Sequence, residues 1–471
     1  MILLKLYYLL TIFQQAGYNV RLFLKSQIKK YLIISFPYLF LFLFSYYKNI
    51  TFLFLYGFSI PFIFYYVYKL KKKLVFTKRM IRLILVILLL IISFFFIINF
   101  YVGIFLELFI LFADLLLLWP ESIINKSYIK KAIKKSEEIR GVKIAITGSF
   151  GKTSTKNYLN DILSKKYLVK FSPSSYNTPL GIAKFLNNNN FSFCDFVIYE
   201  FGSKRFGDIS TLGKYYEYDI AVITDIGFMH LDTFKNIENI IEEKMSILAN
   251  LKNKGLAILN FENKYIREYA KNCNYISYGF NYGNYQARNI DVSIDGSSFD
   301  LYINDLFYQR ITIKPLGRQA ILNIMPSIIL AIKYNIDFNF ISHINEVKHR
   351  LSIKKIDNYV ILDDAYNANL NGALYALEVM KSYKGKKFII TPGFVEMRSI
   401  NLYLCEKFSE GINQCVDICI LENNSFTRRL KKYINIECFF VKNFKEGYNL
   451  FLNMLEDNSI LLIENDLPDF Y

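Results

Sequence analysis

Histidine and cysteine are both scarce, with three and six residues in 471. The cysteines, Cys194, Cys273, Cys405, Cys415, Cys419 and Cys438, are scattered with no CxxC pair. That excludes a zinc ribbon and a disulfide framework, and leaves reduced thiols as the plain reading. The formal net charge is +17, yet no zinc-finger spacing or RNA-binding signature accompanies it. No nucleic acid partner is therefore expected. The opening stretch Met1 to Phe13 is too short to span a bilayer and lacks a small-residue cleavage site, so it reads as an interfacial helix, not a signal peptide.

What is abundant is apolar and basic sequence, concentrated in the first 140 residues. Apolar runs extend from Tyr31 to Tyr47, Ile50 to Tyr68, Leu83 to Tyr101 and Ile104 to Trp119. Each approaches the ~20 residues that a membrane-spanning helix needs. Lys25, Lys29 and Lys30 precede the first run. Lys69, Lys71 to Lys73, Lys78, Arg79 and Arg82 separate the second and third, and Lys126, Lys130, Lys131, Lys134 and Lys135 follow the fourth. The positive-inside rule then predicts four transmembrane helices over residues 1–120, with both termini cytoplasmic and a multi-pass location in the cytoplasmic membrane. Membrane lipid is the expected neighbour of this part. Glu107 and Asp114 fall inside the fourth run, seven residues apart and on one helical face, where pairing within the bundle is the plain expectation. A basic linker follows, residues 121–140.

From residue 141 the pattern changes to short β-rich runs alternating with amphipathic helices, the mark of an α/β fold. Lys143 to Thr147, Phe196 to Glu200 and Ala221 to Thr224 read as buried parallel strands, each ending in polar or Gly-rich residues. Tyr278 to Lys314 alternates as antiparallel strands do. Further strands at Tyr359 to Asp363, Lys387 to Thr391, Ile418 to Leu421 and Ile460 to Ile463 predict a second, Rossmann-like domain over 347–471, after a central domain over 141–346.

Thr147-Gly-Ser-Phe-Gly-Lys-Thr153 follows the first of these strands and opens a helix. Gly148 and Gly151 let the backbone wrap a phosphate, and the N–H groups around Ser149 and Ser154 add donors at a helix N-terminus. Lys152 is placed to neutralise β/γ-phosphate charge, and the Thr153 hydroxyl to ligate Mg²⁺. The longer Walker A form would have glycine at Ile146. In the helix after His230, Lys244 shares an apolar stripe with Ile237, Ile240, Ile241 and Leu248, so its amine is expected to be buried with a lowered pKa.

The short Thr-Gly-x-x-Gly-Lys-Thr form resembles that of the Mur ligases, and the resemblance covers residues 120 to 471. Asn177-Thr178 with Gly181, Glu200-Phe-Gly202, Thr224-Asp-Ile-Gly-Phe-Met-His230, Lys244, Asn323, Arg350-Leu351, Asp363-Asp-Ala-Tyr-Asn-Ala-Asn369 and Thr391-Pro-Gly393 appear in family order. The Asp-Asp-x-Tyr-Asn-Ala-Asn stretch resembles the branch that adds D-alanyl-D-alanine to UDP-MurNAc-tripeptide, and the chain resembles its membrane-anchored members. The resemblance implies a P-loop central domain and a Rossmann-like C-terminal domain. It also implies an ATP-dependent amide ligase of peptidoglycan-precursor synthesis, with other cell-wall synthesis enzymes as partners; a Mur-type ligase of a lipid-linked or other carboxylate, and a membrane ATPase or transport component, are the alternative readings.

Glu200 and His230, with Thr153, would then hold two Mg²⁺ ions. Lys244 would be carbamylated, an anion near the metals. Asn323 would contact adenine, although the family's preceding His-Asn pair is Gln319-Ala320 here. Arg350 and Asp364 would close over ATP phosphates and ribose. Asn177, Thr178, Asn367 and Asn369 would face UDP-MurNAc-peptide and D-alanyl-D-alanine. His343 and His349 show no ligand spacing.

Overall fold

The computed structural model describes the chain apart from residues 1, 28–37, 41, 42, 45, 48, 71, 99–101, 174, 175, 230, 271–273, 348, 349, 366–369, 395–400 and 466–471. Two compact units emerge, one covering Met1–Ser127 and one covering Tyr128–Pro468.

The N-terminal unit corrects the membrane expectation. Among the described residues no helix is long and apolar enough to cross a membrane. The four transmembrane helices and the multi-pass location therefore fall. Most of the first run lies outside the described residues. The second forms the helix Ile50–Tyr68, which carries Pro61 in its interior. The third forms Lys78–Ile98, whose first turns hold Lys78, Arg79 and Arg82 and leave an apolar stretch short of the ~20 residues a span requires. The fourth is not a separate span. It is the first part of one helix, Val102–Glu137, that runs through Pro120 into the basic segment.

The face of that helix carries Glu107, Asp114 and Glu121 at seven-residue spacing, all three buried. Each meets a base: Lys5 at 3.1 Å, Arg79 at 3.1 Å and Arg82 at 2.6 Å. The helix Ile2–Gln15, expected at an interface, instead buries Leu6, Leu9, Leu10 and Phe13 in a core shared with Met80, Ile87, Leu106 and Ile110.

In the second unit the strands are where their apolar runs predict. A nine-stranded sheet has the order β2-β3-β1-β4-β5-β6-β7-β8-β9. Its strands are β1 (Val142–Thr147), β2 (Val169–Phe171), β3 (Phe196–Glu200), β4 (Tyr218–Ile223), β5 (Leu251–Asn260), β6 (Tyr275–Gly279), β7 (Tyr285–Ser293), β8 (Gly296–Ile303) and β9 (Leu306–Ile313). The strands β2 to β6 around β1 are parallel, and β7, β8 and β9 pair antiparallel as the alternating stretch predicts.

A six-stranded sheet follows, in the order β10-β11-β15-β12-β13-β14. It comprises β10 (Ser352–Ile356), β11 (Tyr359–Asp364), β12 (Lys387–Gly393), β13 (Ile418–Glu422), β14 (Glu437–Val441) and β15 (Ser459–Asn465), parallel except for the edge strand β10. Interleaved helices cover the sheets, as parallel strands buried on both faces require.

Ile144, Ile146 and Val222 share one core with Ile321 and Met325 of the helix Gly317–Lys333. On the other face Val197, Tyr199 and Ala221 pack with Ile240 and Ile241. Arg318 donates from Nε to both carboxylate oxygens of Glu378 at 3.0 Å, tying that helix to the helix Leu370–Lys381 of the second sheet.

Candidate functional site

The central strand β1 runs straight into the phosphate loop. Gly148 has φ +152° and Gly151 φ +80°, conformations that a side chain rarely adopts. A Cβ at Gly148 would meet Thr224 Oγ1, and one at Gly151 would meet Asn323 Oδ1. The loop is therefore shaped by close neighbours as well as by backbone freedom.

It is also tied down. Ser149 N–H donates to the Asp225 carbonyl at 2.7 Å, and Ser149 Oγ donates to the Gly227 carbonyl at 3.0 Å. Thr224 Oγ1 donates to the Phe150 carbonyl at 2.5 Å. Phe150, inside the loop, is buried in a core that also holds Leu316, Leu351, Leu362 and Phe394. The loop is thereby anchored to the second sheet's hydrophobic layer.

Lys152 folds back on its own loop, donating from Nζ to the carbonyls of Gly148 at 2.7 Å and Ser149 at 2.9 Å. The Lys152 pKa is lowered to about 8, chiefly by loss of water; Glu200 opposes the shift, Arg350 adds to it and Asp225 opposes it. Ser154 is buried at the start of the helix Lys152–Leu163.

Glu200 ends β3 beside the loop. Its Oε2 accepts from Thr153 Oγ1 at 3.1 Å and pairs with Lys156 Nζ at 2.8 Å. Its Oε1 accepts from Asn177 Nδ2 at 3.4 Å. The backbone N–H of Glu200 is held by Ser172 Oγ at 3.1 Å. A hydroxyl and a carboxylate side by side are hard oxygen donors, the set that Mg²⁺ takes when phosphate and water complete its shell. The residues present fit such an ion.

Lys244 is buried, and its Nζ donates to Ser203 Oγ at 2.6 Å. Burial lowers its pKa to about 7; the Lys152 charge acts in the same direction, and Glu243 and Asp208 oppose it. The Glu243 carboxylate accepts from the N–H groups of Gly207 and Ile209.

Asp364 ends β11 and accepts from the Leu351 N–H at 3.1 Å, and burial raises its pKa to about 6 against the Arg350 charge. The electrostatic reach of Arg350 thus includes both Lys152 and Asp364. Asn323 is buried against Gly151, with its Oδ1 accepting from Gln319 Nε2 at 3.4 Å. Thr178 caps the helix Pro179–Asn188, its hydroxyl accepting from the Gly181 N–H at 3.2 Å. That is work within the fold. His230, Asn367 and Asn369 lie outside the described residues.

The structure thus gathers Gly148, Ser149, Gly151, Lys152, Thr153, Asn177, Glu200 and Asn323 at one end of the parallel sheet. Sequence reasoning missed Lys156, Ser203 and Phe150. Lys156 had a signal, a second lysine one helical turn beyond Lys152 on the same face. Ser203 had none.

Residues 146–331 match the Mur ligase middle domain. The chain carries a Mur ligase middle domain. UDP-N-acetylmuramoyl-tripeptide--D-alanyl-D-alanine ligase of Buchnera aphidicola subsp. Baizongia pistaciae is 29% identical over 291 residues, 59% of this chain and 63% of that protein. The protein of the same name from Borreliella burgdorferi is 29% identical over 344 residues, 68% of this chain and 71% of that one. A Mur ligase of Thermotoga maritima, the MurF ligase solved in complex with ADP, superposes with a TM-score of 0.66 at 21% identity, over 72% of this chain and 80% of that one. The chain therefore spans under two thirds of the Buchnera relative's length, and the likeness to the Thermotoga structure establishes the fold.

Proposed function

We propose that this chain is an ATP-dependent amide ligase of peptidoglycan-precursor synthesis, joining D-alanyl-D-alanine to UDP-MurNAc-tripeptide through an acyl phosphate. The observation that carries the reading is the convergence of a tied phosphate loop, Lys152, Thr153 and Glu200 at one sheet edge, in a chain whose central part is a Mur ligase middle domain.

A carboxylate oxygen of the acceptor takes the γ-phosphoryl group of ATP, and ADP leaves. The amine then attacks the acyl carbon, loses a proton, and expels inorganic phosphate as the amide forms. Such transfers rest mostly on positioning and charge neutralisation. Lys152 would exchange its two loop carbonyls for phosphate oxygens. The N–H groups of the loop and of the helix start would donate to the β-phosphate. Thr153 and Glu200, with His230, would hold Mg²⁺, which when bound supplies charge neutralisation to the phosphates.

Arg350 and Asp364 would meet the nucleotide from the second sheet. Asn323 sits near enough to the loop to orient Gly151, and it would reach the nucleotide from there. Asn177, on the Glu200 carboxylate, would face the acceptor, as would Thr178, Asn367 and Asn369. Lys244, with its pKa near neutrality, would present a free amine to CO₂. Nζ then bonds to carbon and releases a proton, leaving a carbamate anion. Other cell-wall synthesis enzymes would receive the product.

The test is product formation. Purified full-length chain, given ATP, Mg²⁺, UDP-MurNAc-tripeptide and D-alanyl-D-alanine, should yield UDP-MurNAc-pentapeptide by mass spectrometry. A Mur-type ligase of another carboxylate would instead give phosphate release only when that other acceptor is supplied. The 25% identity to a UDP-N-acetylmuramate--L-alanine ligase of Dictyoglomus turgidum makes UDP-MurNAc with L-alanine the first alternative pair to try.

A further inference from the structure

The Lys156–Glu200 pair is the least expected feature of the site. Both side chains are almost wholly removed from water, 1% and 3% exposed, and the nitrogen and oxygen are 2.8 Å apart. A lysine is almost never buried to this degree without a partner. Its position follows from the helix: Lys156 lies one turn beyond Thr153, so both face the end of β3.

The two carboxylate oxygens are treated differently. Oε2 takes both the Lys156 ammonium and the Thr153 hydroxyl. Among the described residues Oε1 accepts only the long contact from Asn177 at 3.4 Å, so it keeps acceptor capacity. The backbone of Glu200 is fixed by Ser172 and by strand pairing with β1, and its carboxylate is held in turn by Lys156 and Thr153.

We propose that Lys156 is a positioning residue that keeps Glu200 aimed and charge-compensated, and so makes the metal site at Glu200 conditional on nucleotide. This rests on the reading of Thr153 and Glu200 as Mg²⁺ ligands. A divalent cation arriving alone at Glu200 meets an ammonium already neutralising that carboxylate, and the two positive charges repel. Nucleotide phosphates add the negative charge that offsets this repulsion. The enzyme then binds metal with its substrate, and the empty site is not clamped by a stray ion.

The experiment uses the full chain without nucleotide, titrated with Mn²⁺ as a Mg²⁺ surrogate and followed by electron paramagnetic resonance. Wild type should bind Mn²⁺ weakly, and ADP should tighten binding. Lys156→Met should tighten nucleotide-free Mn²⁺ binding by at least about tenfold, since it removes a unit charge within a few ångströms of the ion in a weakly screened site. Lys156→Arg, which keeps the charge, should stay near wild type. The double variant Lys156→Met with Glu200→Gln should lose the gain.

Lys156→Gln keeps a polar group in the pocket and gives the same reading if methionine prevents folding, with circular dichroism reporting the fold. An unchanged Mn²⁺ affinity in folded Lys156→Met or Lys156→Gln overturns the proposal, as does an equal gain in the double variant. If instead ADP fails to tighten Mn²⁺ in wild type while Lys156→Met still gains, the phosphate-loop reading fails and the dependence of the metal site on nucleotide is overturned with it.

Discussion

Glu107 and Glu200 are both buried carboxylates, each held by a buried lysine, Lys5 at 3.1 Å and Lys156 at 2.8 Å. Their surroundings differ. Glu200 ends a parallel strand beside a glycine loop, and both its oxygens have hydrogen-bond donors. Glu107 lies in the second turn of a long helix beside Leu106, Phe109 and Ile110, and its Oε2 has no hydrogen-bond partner among the described residues. A buried ion pair is thus not by itself a site. It becomes one where backbone donors, a hydroxyl and a strand end converge, and elsewhere it fixes how helices pack.

That comparison can be broken from the helical side first. Glu107→Gln leaves the Lys5 ammonium buried without its counter-charge and should cost about 3–5 kcal/mol of the stability of the N-terminal unit, read by urea unfolding. The folded protein should keep its ADP affinity. From the site side, Lys152→Ala should lower turnover by about 10²–10³, the usual cost of losing one preorganised electrostatic group, with little change in unfolding midpoint. If the two variants exchanged these phenotypes, the distinction between the two carboxylates would collapse.

Phe150→Leu tests whether the loop depends on the second sheet's core. This large-to-small apolar swap should cost at least about 1 kcal/mol in stability, and it should raise the KM for ATP more than it lowers kcat. Asp114→Asn should be the mildest change, about 0.2–1 kcal/mol, because its partner Arg79 is one-third exposed and can turn to water.

Lys244 sharpens the same contrast through pH. Its folded pKa of about 7 lies below the ordinary 10.5, so between these values the unfolded chain holds a proton that the folded chain lacks. Its contribution to stability is therefore complete above pH 10.5, falls as pH decreases, and has gone by about pH 7. Lys244→Met should flatten the wild-type slope of unfolding free energy over that window. A ¹³C-carbamate signal from labelled bicarbonate should grow as pH rises through 7 in wild type and be missing from the variant.

Much of the second unit was legible because each apolar run matched one buried strand and each strand end bore its polar residues. Thr147 to Thr153 announced a loop, and the loop is there, with Lys152, Thr153 and Glu200 together. The N-terminal unit was misread because length and apolarity were weighed while charge partners were invisible. Nothing local to Glu107 says that Lys5 will meet it, and Glu121 was assigned to a linker although it completes the seven-residue acid series on one helix. Lys156 escaped notice for the related reason that a lysine on an amphipathic helix reads as solvent-facing until β3 is known to end opposite it. Asn177 and Thr178 are neighbours in sequence, but Asn177 touches Glu200 while Thr178 caps a helix, a division that only backbone geometry makes.

The central claim is that the acceptor carboxylate is activated by phosphorylation at this loop. It is tested most directly by isotope transfer, using UDP-MurNAc-tripeptide labelled with ¹⁸O in the reacting carboxyl group. With ATP and D-alanyl-D-alanine present, each amide formed should release inorganic phosphate carrying one ¹⁸O atom, and Lys152→Ala should suppress label and amide together. Phosphate released without label would mean that water, not the carboxylate, takes the phosphoryl group, and would contradict the account.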